Sequence, residues 1–239
     1  SWGRGGFGQL GHGDEERQLL PKKVEAFADQ RVIAVSAGAS HSLALTGNGA
    51  VWSWGGGEDG LGHGDTQIQL LSKKVEAFAG QRVVAVSAGA YHSIAITADG
   101  TVWSWGRGFD GSLGHGDQQH QLLPKKVEAF AGQRVAAVSA GDDHSLAITS
   151  DGAVWSWGYG GHGLLGHGDE QRQLLPKKID SLTGQRVASV SAGVVHSIAL
   201  TADGATFAWG MGESGCVGHG EELSNQLLPK KIEGWAPGQ

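Results

Sequence analysis

The sequence predicts an all-β fold, a β-propeller built from four-stranded blades of about 51–52 residues. The first glycine of a GHG motif lies at Gly11, Gly62, Gly114, Gly166 and Gly218, in steps of 51, 52, 52 and 52 residues. The motifs SAG and WSWG recur with the same period. Short apolar runs and glycine turns separate these motifs, and no long amphipathic stretch of the kind that helical solenoids need is present.

Four short strands are predicted in each repeat, because Val, Ile, Thr and Trp dominate these runs. In the second complete copy we expect them at Leu70–Phe78, Arg82–Gly89, His92–Thr97 and Thr101–Gly106. Asp99 and Gly100 join the last two strands, and such a pair suits a tight hairpin turn. A proline in most copies is expected to precede the first strand, where its missing N–H does least harm.

The repeats predict one propeller domain over residues 1–239. Complete blades are expected at about 19–55, 70–106, 122–158 and 174–210, with the outer strands of a fifth blade at 1–3 and 227–239. On this prediction the chain is an arc or fragment of a larger ring. Open sheet edges and apolar blade faces would then favour self-association.

Composition narrows the classes of partner. The formal net charge of −6 and the pI of about 6.0 argue against a broad phosphate-binding surface, so we expect no nucleic-acid partner. A single cysteine, Cys216, allows no internal disulfide, and we expect an intracellular location in the cytoplasm or nucleus. No apolar run is long enough to span a membrane, so membrane insertion is not expected.

The motifs LGHGD, P-KKV and V-AVSAG--HS-A-T-DG-VWSWG resemble those of the regulator of chromosome condensation repeat family, and they cover nearly the whole chain. The resemblance implies a seven-bladed propeller. Functions in that family are diverse, and a shared fold does not choose among them. Two remain open here: a non-enzymatic scaffold for protein–protein interaction and, as the alternative, a guanine-nucleotide exchange factor for a small GTPase.

The resemblance also bears on photoreception, because plant ultraviolet-B receptors share this framework. Those receptors carry Trp and Arg directly after the SAG-type glycine. The matching positions here, 39–40, 90–91, 142–143 and 194–195, hold neither residue type. Photoreception is therefore not expected.

Histidine and tryptophan recur at fixed positions of the repeat. A metal or catalytic site needs different residues converging from different positions, whereas the same His in each copy indicates a repeated structural hydrogen bond. We therefore expect no catalytic residue, no bound metal and no cofactor. The Trp pairs of the WSWG motif are expected to wedge between blades, with each indole N–H needing a partner.

Positions that vary between copies are the candidates for function, because fixed strands with variable loops are typical of binding scaffolds. They lie in the pairs after SAG and in the links after WSWG, such as RGFDGS and YGGHGL. The candidate protein-binding residues are Tyr91, Arg107, Phe109, Asp110, Asp142, Asp143, Tyr159 and His162. Neutral variation in exposed loops is the alternative explanation.

Overall fold

A computed structural model describes residues 1–57, 60–220 and 223–233 of the chain. It consists of four antiparallel four-stranded sheets, the blades of a β-propeller, which confirms the predicted fold class. The strands are β1 Val32–Ala37, β2 His41–Thr46, β3 Val51–Gly55 and β4 Gln69–Lys74 in blade 1; β5 Val83–Ala88, β6 His92–Thr97, β7 Val102–Gly106 and β8 Gln121–Lys126 in blade 2; β9 Val135–Ala140, β10 His144–Thr149, β11 Val154–Gly158 and β12 Gln173–Lys178 in blade 3; β13 Val187–Ala192, β14 His196–Thr201, β15 Thr206–Gly210 and β16 Gln226–Lys231 in blade 4.

Short 3₁₀ helices lie in the connections between these strands. They are Glu25–Phe27, Glu76–Phe78, Phe109–Gly111, Glu128–Phe130, Gly161–Gly163, Asp180–Leu182 and Glu213–Gly215. Within the described part of the chain, no helix has the length and apolar character to cross a membrane.

The grouping of strands into blades differs from the predicted grouping. The QLLPKK-type strand pairs with the WSWG strand that precedes it in the chain, as Gly55 with Gln69 shows, and not with the strands that follow. The predicted ranges 19–55, 70–106, 122–158 and 174–210 are therefore displaced by one strand from the sheets. The physical reason is that β4 is an edge strand, reached by a link from its own sheet.

Both ends of the chain follow the same rule. Residue Gly3 forms an antiparallel bridge with Gln18, the same pairing as Gly55 with Gln69. The predicted final strand pairs with β15 inside blade 4 over Gln226–Lys231, so it does not share a sheet with residues 1–3. Residues 234–239 of that predicted strand lie outside the described residues. That the chain forms one domain stays a prediction.

Proline and hairpin predictions had different outcomes. The hairpins are confirmed: Thr97 and Asp99 form the side-chain bond that closes the turn, and the backbone of Gly100 has a φ of +86°. Proline lies inside the edge strands, at Pro124 of β8 for example, and not before them. An edge strand tolerates it because one of its sides needs no N–H donor.

The chain divides into two compact units. Unit 1 comprises residues 1–108 and 119–127 and contains blades 1 and 2; unit 2 comprises residues 109–118 and 128–239 and contains blades 3 and 4. In unit 1 the core lies between its two blades. Phe78 packs edge-on against Trp103 and Trp105, with ring centroids 5.8 and 5.7 Å apart. The Trp pair therefore acts as the predicted wedge between blades.

Unit 2 has a related core with smaller or substituted residues. Leu182 replaces the Phe of the other copies, and Phe207 replaces the first Trp of WSWG. Both pack with Trp209 in one apolar cluster. The indole N–H of Trp209 donates to the carbonyl of Leu164 at 2.8 Å.

The predicted indole partners exist for only part of the set. The second Trp of the motif donates to a link carbonyl at 2.8 Å in Trp54, Trp157 and Trp209. Among the described residues, the buried indole N–H of the first Trp has no partner at Trp52, Trp103 or Trp155, and the second Trp of blade 2, Trp105, has none either. The expectation that each indole finds a partner is wrong for these four side chains.

The histidine of SAG-xx-HS makes the repeated structural bond that the sequence predicts. In unit 1, Nε2 of His41 lies 2.9 Å from Oγ of Ser93, whose hydroxyl donates to the Gly60 carbonyl at 3.0 Å. In unit 2, His144 and Ser197 repeat this arrangement at 2.8 Å. Each of these His–Ser–carbonyl relays joins two neighbouring blades and holds the carbonyl of a residue within a link.

The GHG histidine has a similar role within one blade. Oγ of Ser53 donates to the Leu61 carbonyl at 2.6 Å and lies 3.0 Å from Nε2 of His63. The aspartate that follows closes a turn through the backbone, as predicted, since Asp65 accepts from the amide of Gln67 at 3.1 Å. Two adjacent carbonyls in the middle of this link, Gly60 and Leu61, are thus bonded to serines of the strands.

Candidate protein-binding loops

The alternation of strand direction places two kinds of loop at the same end of every blade. The turn between the first and second strands and the link between the third and fourth strands share this end, which we call the loop end. Hairpins and the connections between blades share the opposite end, the hairpin end. All eight candidate residues belong to the loop ends of their blades.

In unit 1, two of the candidates contact each other. The guanidinium carbon of Arg107 lies 4.6 Å from the centroid of the Tyr91 ring, and the Arg107 amide donates to the Tyr91 carbonyl at 2.9 Å. Tyr91 remains 37% exposed. The pair therefore forms a cation–π stack whose backbone is held by the frame and whose outer face is open to solvent.

In unit 2, the turn after SAG contacts the next link. The Tyr159 amide donates to the Asp143 carbonyl at 2.9 Å, and the Asp142 amide lies 3.4 Å from the Gly193 carbonyl of the next blade. Burial raises the pKa of the Asp142 carboxyl. The Tyr159 ring folds over Gly161, where an added Cβ would lie 2.2 Å from the phenol oxygen. Only glycine at 161 permits this position of the ring.

Phe109 and Asp110 follow Arg107 in the RGFDGS link, in the part of that link that belongs to unit 2, and their side chains have different environments. Phe109 is 54% exposed. The carboxylate of Asp110 forms an ion pair of 2.8 Å with Arg172, and the same guanidinium donates to Gln118 at 2.8 Å. Asp110 thus joins one link to the next.

His162 occupies the equivalent position one repeat later. Its φ of +59° matches the +58° of Asp110, a left-handed conformation for which Asp and His are among the more tolerant residues. Its Nδ1 lies 3.3 Å from Nδ2 of Asn225, which holds the place of Arg172 in the following link. Two variable positions therefore contact each other from one link to the next.

Sequence analysis missed Arg172 and Asn225 as partners of the candidates. The sequence held a signal for this pairing. The residue directly before the Gln that begins each QLLPKK-type strand varies between copies, and so does the link that it contacts. One pair is charged, Asp110 with Arg172, and the other is neutral, His162 with Asn225. A comparison of repeats in register would have suggested the pairing but not its geometry.

A double-mutant cycle tests the link-to-link ion pair. We expect Asp110→Ala and Arg172→Ala to show a coupling of about 0.5–1 kcal/mol in urea unfolding, because both side chains are partly exposed. The coupling should largely vanish in 1 M salt. The more exposed pair of Lys23 and Glu25 in unit 1 is the control and should show no measurable coupling. Equal coupling in the two pairs would contradict a specific bridge between links.

Titratable side chains in the described part of the chain form no group of three that could hold a metal ion. Burial lowers the pKa of His41 and His144 to about 4, so both rings are neutral near pH 7. Burial, with a smaller effect of Lys177, lowers the pKa of His167 to about 4 as well. All three rings are bonded to serine hydroxyls of the frame, and those of His41 and His144 are fully buried.

Comparison with known proteins gives a consistent result. The model of the RCC1-like domain family matches residues 1–238. The chain is 39% identical over 235 residues to the ultraviolet-B receptor UVR8 of Arabidopsis thaliana, which covers 98% of the chain and 53% of the receptor. It is 42% identical over 237 residues to the human E3 ubiquitin-protein ligase HERC2, which covers 97% of the chain and 5% of the ligase.

Solved structures agree with these sequence matches. Yeast RCC1 (Prp20), solved with Kap60 bound to it, superposes with a TM-score of 0.81 at 26% identity, over 93% of this chain and 53% of that one. The chain spans about half the length of the plant receptor and of the yeast protein. The activities of those whole proteins therefore do not transfer to it directly.

Proposed function

Because the chain belongs to the RCC1-like domain family, we propose that it is a non-enzymatic scaffold that binds a protein partner through the loop ends of its blades. The relatives support the general statement, since a yeast propeller of this family was solved with the protein Kap60 bound to it. The variable loops of this chain, held on a nearly invariant frame, support the choice of surface.

The observation that carries the proposal is the stack of Arg107 on Tyr91. Tyrosine and arginine are among the residue types most enriched in the side chains that dominate binding energy. The backbone bond between the two residues fixes the stack before a partner arrives, which lowers the entropy lost on binding. We propose this stack as the anchor of unit 1.

The proposed anchors of unit 2 are aromatic and acidic. Phe109 and Tyr159 supply exposed rings, 54% and 37% accessible. Asp142 and Asp143 supply carboxylates on the turn that holds Tyr159. Asp110 and His162 are proposed to act through shape, by fixing neighbouring links, since both already contact another link. A partner with basic and apolar groups would complement this surface, in keeping with the net charge of −6.

Loss of partner binding in the stack variant is the test in unit 1. A partner is first isolated with the wild-type chain and purified, and its dissociation constant is then measured by calorimetry. We expect Tyr91→Ala with Arg107→Ala to weaken binding at least thirtyfold, because two central anchors are each worth about 1–2 kcal/mol or more. Gln81→Ala, an exposed change at the hairpin end of the same unit, should leave the constant unchanged.

The corresponding variant in unit 2 is Phe109→Ala with Tyr159→Ala. Binding that is unchanged in both double variants, with folding intact by circular dichroism, would rule out the loop ends as the binding surface. Loss of partner binding in only one of the two double variants would assign the binding surface to the unit that carries those substitutions.

Guanine-nucleotide exchange on a small GTPase is the alternative function. The similarity to yeast RCC1 motivates the test. Release of a fluorescent GDP analogue from a panel of small GTPases should not accelerate when the chain is added in excess, if the scaffold proposal is correct. Acceleration by the wild-type chain that the Tyr91→Ala and Arg107→Ala variant abolishes would establish the alternative instead.

A further inference from the structure

A cavity of about 720 Å³ lies between blades 3 and 4 of unit 2, at the hairpin end and away from the loop ends. Its volume is within the range of small-molecule sites in proteins. Apolar side chains that are almost fully buried form its floor: Ile148, Val154, Ile179, Leu182 and Val187. The cavity plays no part in the proposed protein interaction.

Substitutions of the repeat consensus create this space. Leu182 stands where the other copies have Phe27, Phe78 and Phe130, and it lines the cavity. In unit 1 the equivalent Phe78 fills its seam against two Trp rings. Ala136 and Ala188, which also line the cavity, stand where the two blades of unit 1 have the bulkier Ile33 and Val84. Three reductions in side-chain size thus coincide at one seam.

The backbones of blades 3 and 4 also lie further apart at this seam, the contact between the two blades, than those of blades 1 and 2 do at the equivalent seam of unit 1. There the Val83 amide donates to the Gly49 carbonyl of the neighbouring blade at 3.1 Å. In unit 2 the equivalent Val187 amide donates locally to Gln185 at 3.1 Å. A Cβ built on Gly49 would lie 2.5 Å from the Arg82 side chain, whereas on Gly152 its nearest neighbour in Arg186 is 3.8 Å away.

Two cations stand at the rim of the cavity without an ion pair. In two other copies a glutamate pairs with the strand lysine, Lys23 with Glu25 at 3.2 Å and Lys74 with Glu76 at 3.3 Å. Here the shorter Asp180 replaces that glutamate, and over the described residues neither Lys178 nor Arg186 forms an ion pair. Asp151 also lines the rim. Its pKa is lowered mainly by the bonds that its carboxylate accepts from the Thr149 hydroxyl and the Ala153 amide, and in smaller part by the charge of Lys178, which forms no ion pair with it.

We propose that this cavity binds a small amphipathic carboxylate. The apolar body of the ligand would lie on the floor formed by Ile179, Leu182 and Val187, and the carboxylate would pair with Lys178 and Arg186. A carboxylate suits this rim because the planar guanidinium of arginine can donate two parallel hydrogen bonds to it. An apolar floor with a few polar groups at its edge is typical of such sites.

Octanoate is the probe, followed by amide and methyl chemical shifts of the labelled chain. We expect saturable shifts at Ile179, Leu182 and Val187, and binding of octylammonium, which has the opposite charge, at least tenfold weaker. Two variants restore consensus residues of the sister repeats and should therefore fold. Leu182→Phe should abolish saturable binding by filling the cavity, and Asp180→Glu should weaken it by no more than about twofold, because an exposed pair with Lys178 contributes little.

The charge test uses a matched pair of double variants. Lys178→Gln with Arg186→Gln should weaken octanoate binding at least tenfold, since hydrogen bonds to charged groups are the stronger ones. Lys74→Gln with Arg82→Gln makes the same change at the closed seam of unit 1 and should have no effect. The proposal is overturned if Leu182→Phe binds octanoate as well as wild type, if both double variants lose affinity equally, or if the shifts spread over exposed apolar residues such as Val35.

Discussion

Replacing Gly38 by alanine should destabilise the chain by about 3 kcal/mol or more, because the new methyl group has no space. A Cβ on Gly38 would lie 2.3 Å from the carbonyl oxygen of Gly89, the equivalent glycine of the next blade, and 2.6 Å from Cε1 of His41. The first neighbour is backbone and the second is a buried ring fixed by its bond to Ser93. Neither can move without opening the seam between blades 1 and 2.

Gly80→Ala provides the matched control in the same unit. Gly80 has a φ of +81° but no atom within 4 Å of an added Cβ, so its substitution costs only backbone strain, about 1–2 kcal/mol. Urea unfolding followed by tryptophan fluorescence measures both variants against wild type. Losses of stability that are equal in the two variants would show that close packing at Gly38 is not the dominant constraint.

Periodicity made the fold class predictable from sequence, and it also explains the error in grouping the strands. A strict repeat looks the same whichever strand is counted first. The pairing of Gly55 with Gln69 across a link decides that the QLLPKK-type strand closes the preceding sheet, and nothing local in the sequence reveals it. The hairpins were predicted correctly because Asp-Gly and Asn-Gly carry their turn chemistry within two residues.

The candidate loops, like the fold, were predictable from sequence only in part. Variation between copies identified the loop ends, and the stack of Arg107 on Tyr91 unites two residues that were proposed separately. The partner of Asp110 could not be predicted, since Arg172 lies 62 positions further along the chain and contacts it only after the blades have packed. Periodicity gives the register of such positions, whereas contact depends on how one blade sits on the next within a unit.

Acid should unfold this protein through the buried histidine relays of His41 and His144. The Ser93 hydroxyl has one proton, which it donates to the Gly60 carbonyl, so it accepts from Nε2 of His41. The other ring nitrogen of His41, Nδ1, then carries a lone pair. In the described part of the chain this buried atom has no hydrogen-bond partner, and His144 has the same arrangement. A proton added to Nδ1 would be a buried charge without an acceptor.

Burial accordingly lowers the pKa of both rings from 6.5 to about 4, and a charge effect of His196 adds to the shift at His144. Between these two values the unfolded chain binds a proton that the folded chain does not. The stability from each ring is therefore complete above about pH 6.5 and is lost as the pH falls towards 4. The difference corresponds to about 3 kcal/mol per ring, so two rings approach the whole stability of a typical domain.

Urea unfolding at steps between pH 7.5 and pH 4.5 should show a falling free energy of unfolding through this window. His41→Gln keeps an amide donor for Ser93 but cannot take up the proton. We expect it to lose a little stability at pH 7.5 and to show a decline smaller by up to about 3 kcal/mol towards acid. A decline as steep in His41→Gln as in wild type would mean that the acid sensitivity arises elsewhere, and NMR titration of the His144 ring would then show whether the second relay behaves differently.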